Sequence, residues 1–115
     1  MLSGLLRECP DRVAADLRRF FGVRLSDMYE GREDVLEVAH YAAHLPSGGA
    51  VGEWFGGELA LSAEVAAIRA LEFTTAQSQS PKKLKRPPLP DGVRDLERKR
   101  AKALAKAEKF RAKTR

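Results

Sequence analysis

The uneven distribution of apolar side chains and charge is the feature that most constrains the fold of this chain. The large apolar residues lie almost entirely before residue 74. Residues 1–80 carry a net charge of −5, whereas residues 81–115 carry a net charge of +10. A charged segment with few large apolar side chains cannot bury enough surface to form a core of its own. The sequence therefore predicts a small folded body followed by a basic extension.

The length of the chain, 115 residues, leaves room for one domain. The predicted body is close to the size at which a single core is only marginally stabilising, so we expect self-association or a partner to add stability. The single cysteine, Cys9, cannot form an internal disulfide, which fits a reducing cytoplasm. No signal peptide is recognisable, and no apolar run approaches the roughly 18 residues that span a bilayer. The sequence thus predicts an intracellular protein without a membrane segment.

The first predicted helix begins at Pro10 or Asp11 and ends at Gly22, because proline suits the first helical turn and glycine the residue after the last. Its apolar face is formed by Val13, Leu17, Phe20 and Phe21. We expect at least one of the two phenylalanines to be buried. The polar residues on the other side of this helix, Arg12, Asp16 and Arg19, are expected to be solvated.

The remainder of the body contains two further predicted helices and one short turn. One helix runs from about Glu33 to His44, and the last runs from about Ser62 to Gln77. Residues 51–55 are compatible with one helical turn. Apolar and polar residues alternate in residues 23–29. This pattern fits either an extended piece or a turn, and the sequence does not decide between them. The fold class predicted for residues 1–77 is all-α, with about three to four short helices.

The basic extension divides into a linker and a helix. Residues 78–92 contain four prolines and four basic side chains, which predicts a stiff, extended and poorly ordered linker. Residues 93–115 favour a helix. A weak seam with coiled-coil spacing runs along this predicted helix through Val93, Leu96, Arg100, Ala103, Ala107 and Phe110.

Candidate catalytic chemistry is sparse. His40 and His44 stand four residues apart on a predicted helix, a spacing that can hold a metal ion with Glu37 as a third ligand. The glutamate of an HExxH motif is missing, and histidine is favoured near helix C-termini, so we interpret both as ordinary side chains. Cys9 has no accompanying catalytic partner. No phosphate-binding, dinucleotide-binding or nucleophile motif occurs. The sequence predicts no catalytic residue, no cofactor and no metal site, and hence no enzyme.

Two groups of residues are candidates for binding a partner. Trp54 and Phe55 lie between glycines, and serve either as an exposed aromatic anchor or as the plug of a small core; we favour the plug, since so small a body needs its aromatics inside. The second group lies on the seam of the basic helix. The partner-binding candidates are Trp54, Phe55, Leu96, Ala103 and Phe110.

The basic residues of the extension are candidates for contacts with nucleic acid phosphates. The strongest are Lys82, Lys83, Lys85, Arg86, Arg98, Lys99, Arg100 and Lys102. Only one aromatic residue, Phe110, is present to stack on bases. The basic side chains are expected to surround the helix rather than to form one stripe. An acidic or helical protein partner accounts for the extension as well as nucleic acid does.

Several motifs together resemble a known family. The segment from Asp11 to Asp27, DRVAADLRRFFGVRLSD, combines a helix with an Arg-Phe-Phe-Gly turn. It is followed by Gly31-Arg32, by a short helix closed by Leu45-Pro46, and by a Lys/Pro-rich segment at 81–88. Residues 7–76 resemble the actinobacteriophage tail assembly chaperones, small proteins with this order of motifs. Residues 56–61 depart from the family pattern, which has a tryptophan-bearing approach to the last helix.

The resemblance implies a non-enzymatic assembly factor. Proteins of this family bind the long, helical tape measure protein before the tail tube polymerises around it. They act in the host bacterial cytoplasm and are generally absent from the mature virion. The function expected from the resemblance is therefore tail morphogenesis, and the alternative is a small nucleic-acid-binding accessory protein that acts through its basic arm.

Overall fold

The protein is mostly helical. A computed structural model describes residues 1–114. The last residue, Arg115, lies outside the described part. The described residues are 71% helical and contain no strand, which confirms the predicted all-α class. The elements are α1 (Leu2–Glu8), α2 (Pro10–Phe21), α3 (Leu25–Tyr29), α4 (Val35–Ala43), α5 (Ala50–Phe55), a 3-10 helix (Gly57–Ala60), α6 (Ala63–Ser78) and α7 (Val93–Thr114).

The number of body helices differs from the predicted three to four, since six α-helices precede residue 79. Helix α1 was not predicted: it lacks a side-chain cap and contains no buried residue. Helix α3 occupies the segment whose conformation the sequence left open, and it buries Met28. Both helices are short, and helices of this length are held by tertiary packing rather than by local propensity. That packing leaves little trace in the sequence pattern.

The predicted bounds of the longer helices agree with the structure. Helix α2 starts with proline at its first position and ends before Gly22, which adopts the left-handed conformation with φ of 68°. The N–H of Gly22 donates to the Arg18 carbonyl oxygen (3.1 Å), and the N–H of Val23 donates to the Leu17 carbonyl oxygen (3.3 Å). The bond from the left-handed Gly22 to the carbonyl four residues back is the αL C-terminal motif, which explains why the helix stops here. Ser62 caps α6 through its side chain.

The buried core lies entirely in the first five helices and their connections. Val13 and Leu17 of α2 and Val38 of α4 are fully buried, and they form its centre. The other members of the core cluster are Cys9, Val23, Met28 and Val51. Helices α6 and α7 contribute no buried residue. The core is thus smaller than the predicted body of residues 1–77, whose boundaries stay a prediction.

Two predictions about α2 were wrong. Neither phenylalanine is buried: Phe20 is half-buried and Phe21 is exposed, with its ring stacked on Tyr41 at 4.9 Å between centroids. Asp16, predicted to be solvated, is only 2% exposed. The reason is that α5 docks on the side of α2 that the apolar pattern marks as polar. The helix therefore has a packed partner on two sides instead of one.

The last two helices give the molecule an extended shape. Residues 81–90 form no helix or strand, and they lie along α6 before α7 begins. The radius of gyration is 19.7 Å, whereas a compact chain of this length has about 13 Å. Helix α7, with 22 residues, is about 33 Å long. The fold therefore presents one long helix outside a small core.

Candidate interaction surfaces

A buried carboxylate of α2 holds α5 in place. The Asp16 side chain accepts hydrogen bonds from the backbone N–H groups of Ala50 (2.8 Å) and Val51 (2.9 Å), at the start of α5. From the same face of α2, Arg12 donates to the Ala50 carbonyl oxygen (2.8 Å). The two bonds to Asp16 satisfy N–H groups that the first turn of a helix leaves without partners. They fix the orientation of α5, which carries Trp54.

Helix α7 is joined to the core through an ionic and aromatic contact, here called the α7 joint, formed by Glu8, Trp54, Phe55, Gly92 and Arg94. The Glu8 carboxylate accepts from Trp54 Nε1 (3.2 Å) and from Arg94 Nη1 (3.0 Å). The Arg94 guanidinium lies over the ring of Phe55, 4.8 Å from its centroid. Trp54 and Phe55 are half-buried and pack against the core cluster. This packing agrees with the interpretation that the two aromatic side chains close the small core.

The backbone approaches closely at this joint. Gly56 and Asp91 form an isolated antiparallel bridge, and the N–H of Gly57 donates to the Pro90 carbonyl oxygen (2.9 Å). A Cβ atom on Gly92 would lie 2.5 Å from the Trp54 and Phe55 carbonyl oxygens. Sequence reasoning missed Glu8, Gly92 and Arg94 as a group. Glu8 and Arg94 are 86 positions apart, and no local pattern signals such a pairing.

Two ionisable groups near the joint have shifted pKa values. The hydrogen bond from Arg94, helped by that from Trp54, lowers the pKa of Glu8, so its charged form is favoured. Burial raises the pKa of the Cys9 thiol. A buried thiol with a raised pKa is a poor nucleophile. Cys9 accordingly serves as an apolar core residue.

The seam of α7 is uncovered. Every side chain from residue 96 to residue 114 is exposed. Among the predicted partner-binding residues on this helix, Leu96 is 50% exposed and Phe110 is 69% exposed, and Ala103 is exposed as well. Leu104 lies on the same side of the helix and is also exposed. The structure thus brings these apolar residues together on one face and leaves that face without a cover from its own chain.

The basic residues of α7 are distributed differently from the prediction that they surround the helix. Since α7 is a regular helix, each residue advances by about 100° around the axis. Five basic side chains fall within a sector of about 80°, and two others, Arg100 and Arg111, lie on the apolar side. The members of this sector, here called the basic stripe, are Arg98, Lys102, Lys106, Lys109 and Lys113.

The other predicted nucleic acid contacts do not join the basic stripe. Arg100 lies on the opposite side of α7 from Lys102. Lys99 forms an ion pair with Asp91 at 3.2 Å. The linker residues Lys82, Lys83, Lys85 and Arg86 are exposed beside α6. Arg86 covers the ring of Phe73 at 5.4 Å. The eight candidates therefore fall into separate groups rather than one surface.

One side of helix α6 contacts the linker, and the opposite side does not. On the first side, Arg69 donates to the Pro88 carbonyl oxygen (2.9 Å), and the Gln77 side chain bonds Lys82 and Leu84 (2.9 and 2.8 Å). A cavity of about 350 Å³ lies there, lined in part by Phe73. The other side carries Val65, Ile68 and Leu71, which are 43%, 57% and 66% exposed. It is a second uncovered apolar face.

Other candidate sites carry no special geometry. The His44 Nδ1 atom lies 2.9 Å from the His40 carbonyl oxygen, and both histidines are exposed. Within residues 1–114, no three His, Cys, Asp or Glu side chains are grouped so that they could hold a metal ion. Across the same residues, no helix has both the length and the apolarity to cross a membrane.

Comparison of the sequence and the structure with protein-family models, with curated proteins and with solved structures found no match. The function is therefore inferred from the exposed surfaces of α6 and α7 and from the motifs in residues 7–76.

Proposed function

We propose that this chain is a phage tail assembly chaperone, a non-enzymatic factor that binds the tape measure protein during tail morphogenesis. The resemblance of residues 7–76 supplies the biological role. The geometry supplies a surface that suits it, because a long apolar helix is the kind of partner that an exposed helical face can bind. In this proposal the protein acts in the host bacterial cytoplasm and is absent from the mature virion.

The observation that carries the proposal is the uncovered seam of α7. Soluble monomers rarely expose several large apolar side chains on one face, and such a face marks an interaction site. Leu96, Leu104 and Phe110 are each at least half exposed. The helix that carries them has no buried residue. A helical tape measure segment packed along this face would bury the apolar side chains of both proteins.

Co-expression with a tape measure fragment tests the proposal. We expect the full-length chain to keep the fragment soluble and to co-purify with it, and we expect the complex to persist at about 0.5 M salt, since screening weakens exposed charge pairs but leaves apolar burial intact. The double variant Leu96→Asp and Phe110→Asp is expected to lose the complex.

A matched control uses the other side of the same helix. Ala105→Asp with Ala112→Asp introduces the same two charges away from the seam. This variant is expected to keep the complex. Equal loss of binding in the two variants, or a wild-type chain that ignores the fragment, would contradict the proposal.

The basic stripe favours a second candidate function, a nucleic-acid-binding accessory protein. Its five side chains lie between residues 98 and 113, a stretch of 16 residues of α7 that is about 22 Å long, and they face one direction. Such a row can follow the phosphates of one backbone. The stripe supports this alternative better than the predicted arrangement around the helix did.

Salt dependence distinguishes the two functions. If the stripe neutralises five phosphates of duplex DNA, the logarithm of the affinity should fall with the logarithm of the salt concentration with a slope of about −4.5. Lys102→Gln with Lys109→Gln should then reduce the slope by about 2 units. Tight, steeply salt-dependent binding of DNA or RNA by a chain that ignores the tape measure fragment would establish the second function.

A further inference from the structure

We propose that the chain forms a reciprocal dimer in which α7 of each copy packs against α6 of the other copy. The inference concerns self-association and goes beyond the tail assembly role, on which it does not depend. The dimer uses the seam of α7 that a tape measure segment would bind, so the two partners exclude each other on that seam. It rests on two uncovered faces of the same molecule, which are both apolar and carry opposite charges.

The face offered by α6 is apolar and acidic. Ile68 and Leu71 lie on the side of the helix opposite the linker, and both are exposed. Glu64 lies beside them on the same side, and Glu72 lies at the edge of this side, where it also borders a cavity lined by the linker residues Leu84 and Lys85. Neither glutamate has an ion-pair partner among residues 1–114. Arg69, the basic residue of this helix, is turned to the linker instead. The exposed side of α6 therefore combines two apolar side chains with two negative charges.

The face offered by α7 is apolar and basic. Leu96, Ala103 and Phe110 recur at seven-residue intervals, as residues in a helix–helix contact do. Lys106 and Lys113 follow the same interval along one edge of this seam. Long lysine side chains at such flanking positions lie beside the partner helix and pair with its carboxylates. The α7 face is thus complementary to the α6 face in both its apolar and its charged parts.

Pairing of α7 with a second α7 is disfavoured by charge. Residues 93–114 contain nine basic and three acidic side chains, a net charge of +6 on each helix. Two such helices side by side would bring like charges together along their whole length. The seam also contains Arg100, which would face its own copy. A partner helix with exposed glutamates, such as α6, removes this repulsion.

Pairing of α7 with α6 of its own chain does not occur in the fold. The α7 joint fixes the start of α7 against α5 and the end of α1, with Arg94 bound to Glu8 at 3.0 Å. From residue 96 to residue 114 all side chains are exposed, so the body leaves this part of the helix uncovered. The face of α6 that would receive α7 is exposed as well. A second copy can fill both faces in a single closed arrangement, because a two-fold axis forms the same contact twice.

Sedimentation equilibrium and light scattering of the full-length chain test the dimer. The monomer mass is 12.7 kDa, and the expected species at high concentration has twice that mass. We expect Glu64→Lys with Glu72→Lys to raise the dissociation constant of the dimer at least tenfold. Lys106→Glu with Lys113→Glu is expected to do the same. The control Lys82→Glu with Lys83→Glu changes the same charge on the linker and is expected to leave the dimer unchanged.

Mixing gives the decisive result. The two charge-reversed variants carry faces that are repulsive in each homodimer but complementary in the mixed dimer, so an equimolar mixture is expected to dimerise like the wild type. The proposal is overturned if the wild-type chain stays monomeric at every concentration, if either reversal leaves the dimer intact, or if the mixture stays monomeric. A dimer strengthened by Lys106→Glu with Lys113→Glu would indicate α7–α7 pairing and also overturn it.

Discussion

Asp16 shows how one side chain can connect two elements that local patterns treat separately. Its carboxylate is buried among apolar neighbours, where an unpaired charge would be costly. Two backbone N–H groups of α5 compensate that cost, at 2.8 and 2.9 Å. Gly49 precedes α5, and a Cβ there would lie 2.7 Å from a carboxylate oxygen of Asp16. The contact therefore depends on a small residue as well as on the charged one.

Replacement of Asp16 should destabilise the core strongly. We expect Asp16→Ala to lower the free energy of unfolding by about 3 kcal/mol, because two buried N–H groups lose a charged acceptor. Asp16→Asn keeps one acceptor oxygen and should cost less. Urea unfolding monitored by far-UV circular dichroism measures both, with exposed Asp11→Ala on the same helix as the control. Equal stability of Asp16→Ala and Asp11→Ala would refute the capping role.

Protonation of Glu8 should loosen the α7 joint in acid. The folded-state pKa of Glu8 lies below its ordinary value of 4.5, so the contribution of the contact is present above about pH 4.5 and is lost as the pH falls through the lowered value. The indole of Trp54 donates to this carboxylate, and its fluorescence should change in the same pH range. Glu8→Gln should abolish that transition. A transition unchanged in this variant would assign it to another group.

At the scale of elements, the helices divide into those that build the core and those that display a surface. Helices α2 and α4 bury their apolar faces against one another and against the short helices α1, α3 and α5. Helix α6 buries none of its side chains, although its apolar residues have helical spacing. Helix α7 likewise buries none. An apolar periodicity thus indicates a face that can pack without showing whether its partner belongs to the same chain.

The close contact at Gly92 should be sensitive to a single added methyl group. Gly92→Ala places a Cβ against the carbonyl oxygens of Trp54 and Phe55, and overpacking of this kind costs about 1–3 kcal/mol. We expect the joint to open, with faster tryptic cleavage after Arg94. Gly4→Ala in α1 meets open space and is the control, expected to leave cleavage unchanged. Cleavage at Arg94 at the same rate in both variants would exclude a tight joint.

At the scale of the whole molecule, the core and the display helices are held together by few contacts. The linker follows α6 through Arg69 and Gln77, and α7 is joined to the core at its first turn. The result is an extended molecule with a radius of gyration of 19.7 Å. Such an arrangement keeps two helical faces accessible while a small core retains its own packing.

Removal of most of α7 should leave the core intact. Residues 96–114 bury no side chain. The free energy of unfolding of a chain that ends at residue 95 is therefore expected to lie within about 0.5 kcal/mol of that of the full-length protein at low concentration. Chemical denaturation followed by Trp54 fluorescence measures the difference. If α7 forms the proposed dimer, the full-length chain alone should gain stability with concentration. A truncated chain that fails to fold would assign α7 a place in the core.

Several elements could be predicted from the sequence because their signals are local. Gly22 terminates α2 through a conformation that glycine adopts readily, and Ser62 starts α6 through its own side chain. The all-α class and the start of α7 at Val93 follow from helical periodicity and from prolines that exclude a helix in the linker. The candidate apolar residues of α7 follow from the same periodicity. In each case the physical cause lies within a few residues of its effect.

The remaining features were decided only by the tertiary structure. Burial of Asp16, exposure of Phe21 and the pairing of Glu8 with Arg94 each depend on a segment more than 15 positions away. The basic stripe is a different case, because it follows from local helix geometry, although the sequence analysis expected the basic residues to surround the helix. Sequence patterns specify which faces are apolar or charged, because side chains are fixed to a local backbone. Which faces meet depends on the global packing of short helices, and that packing left α6 and α7 uncovered.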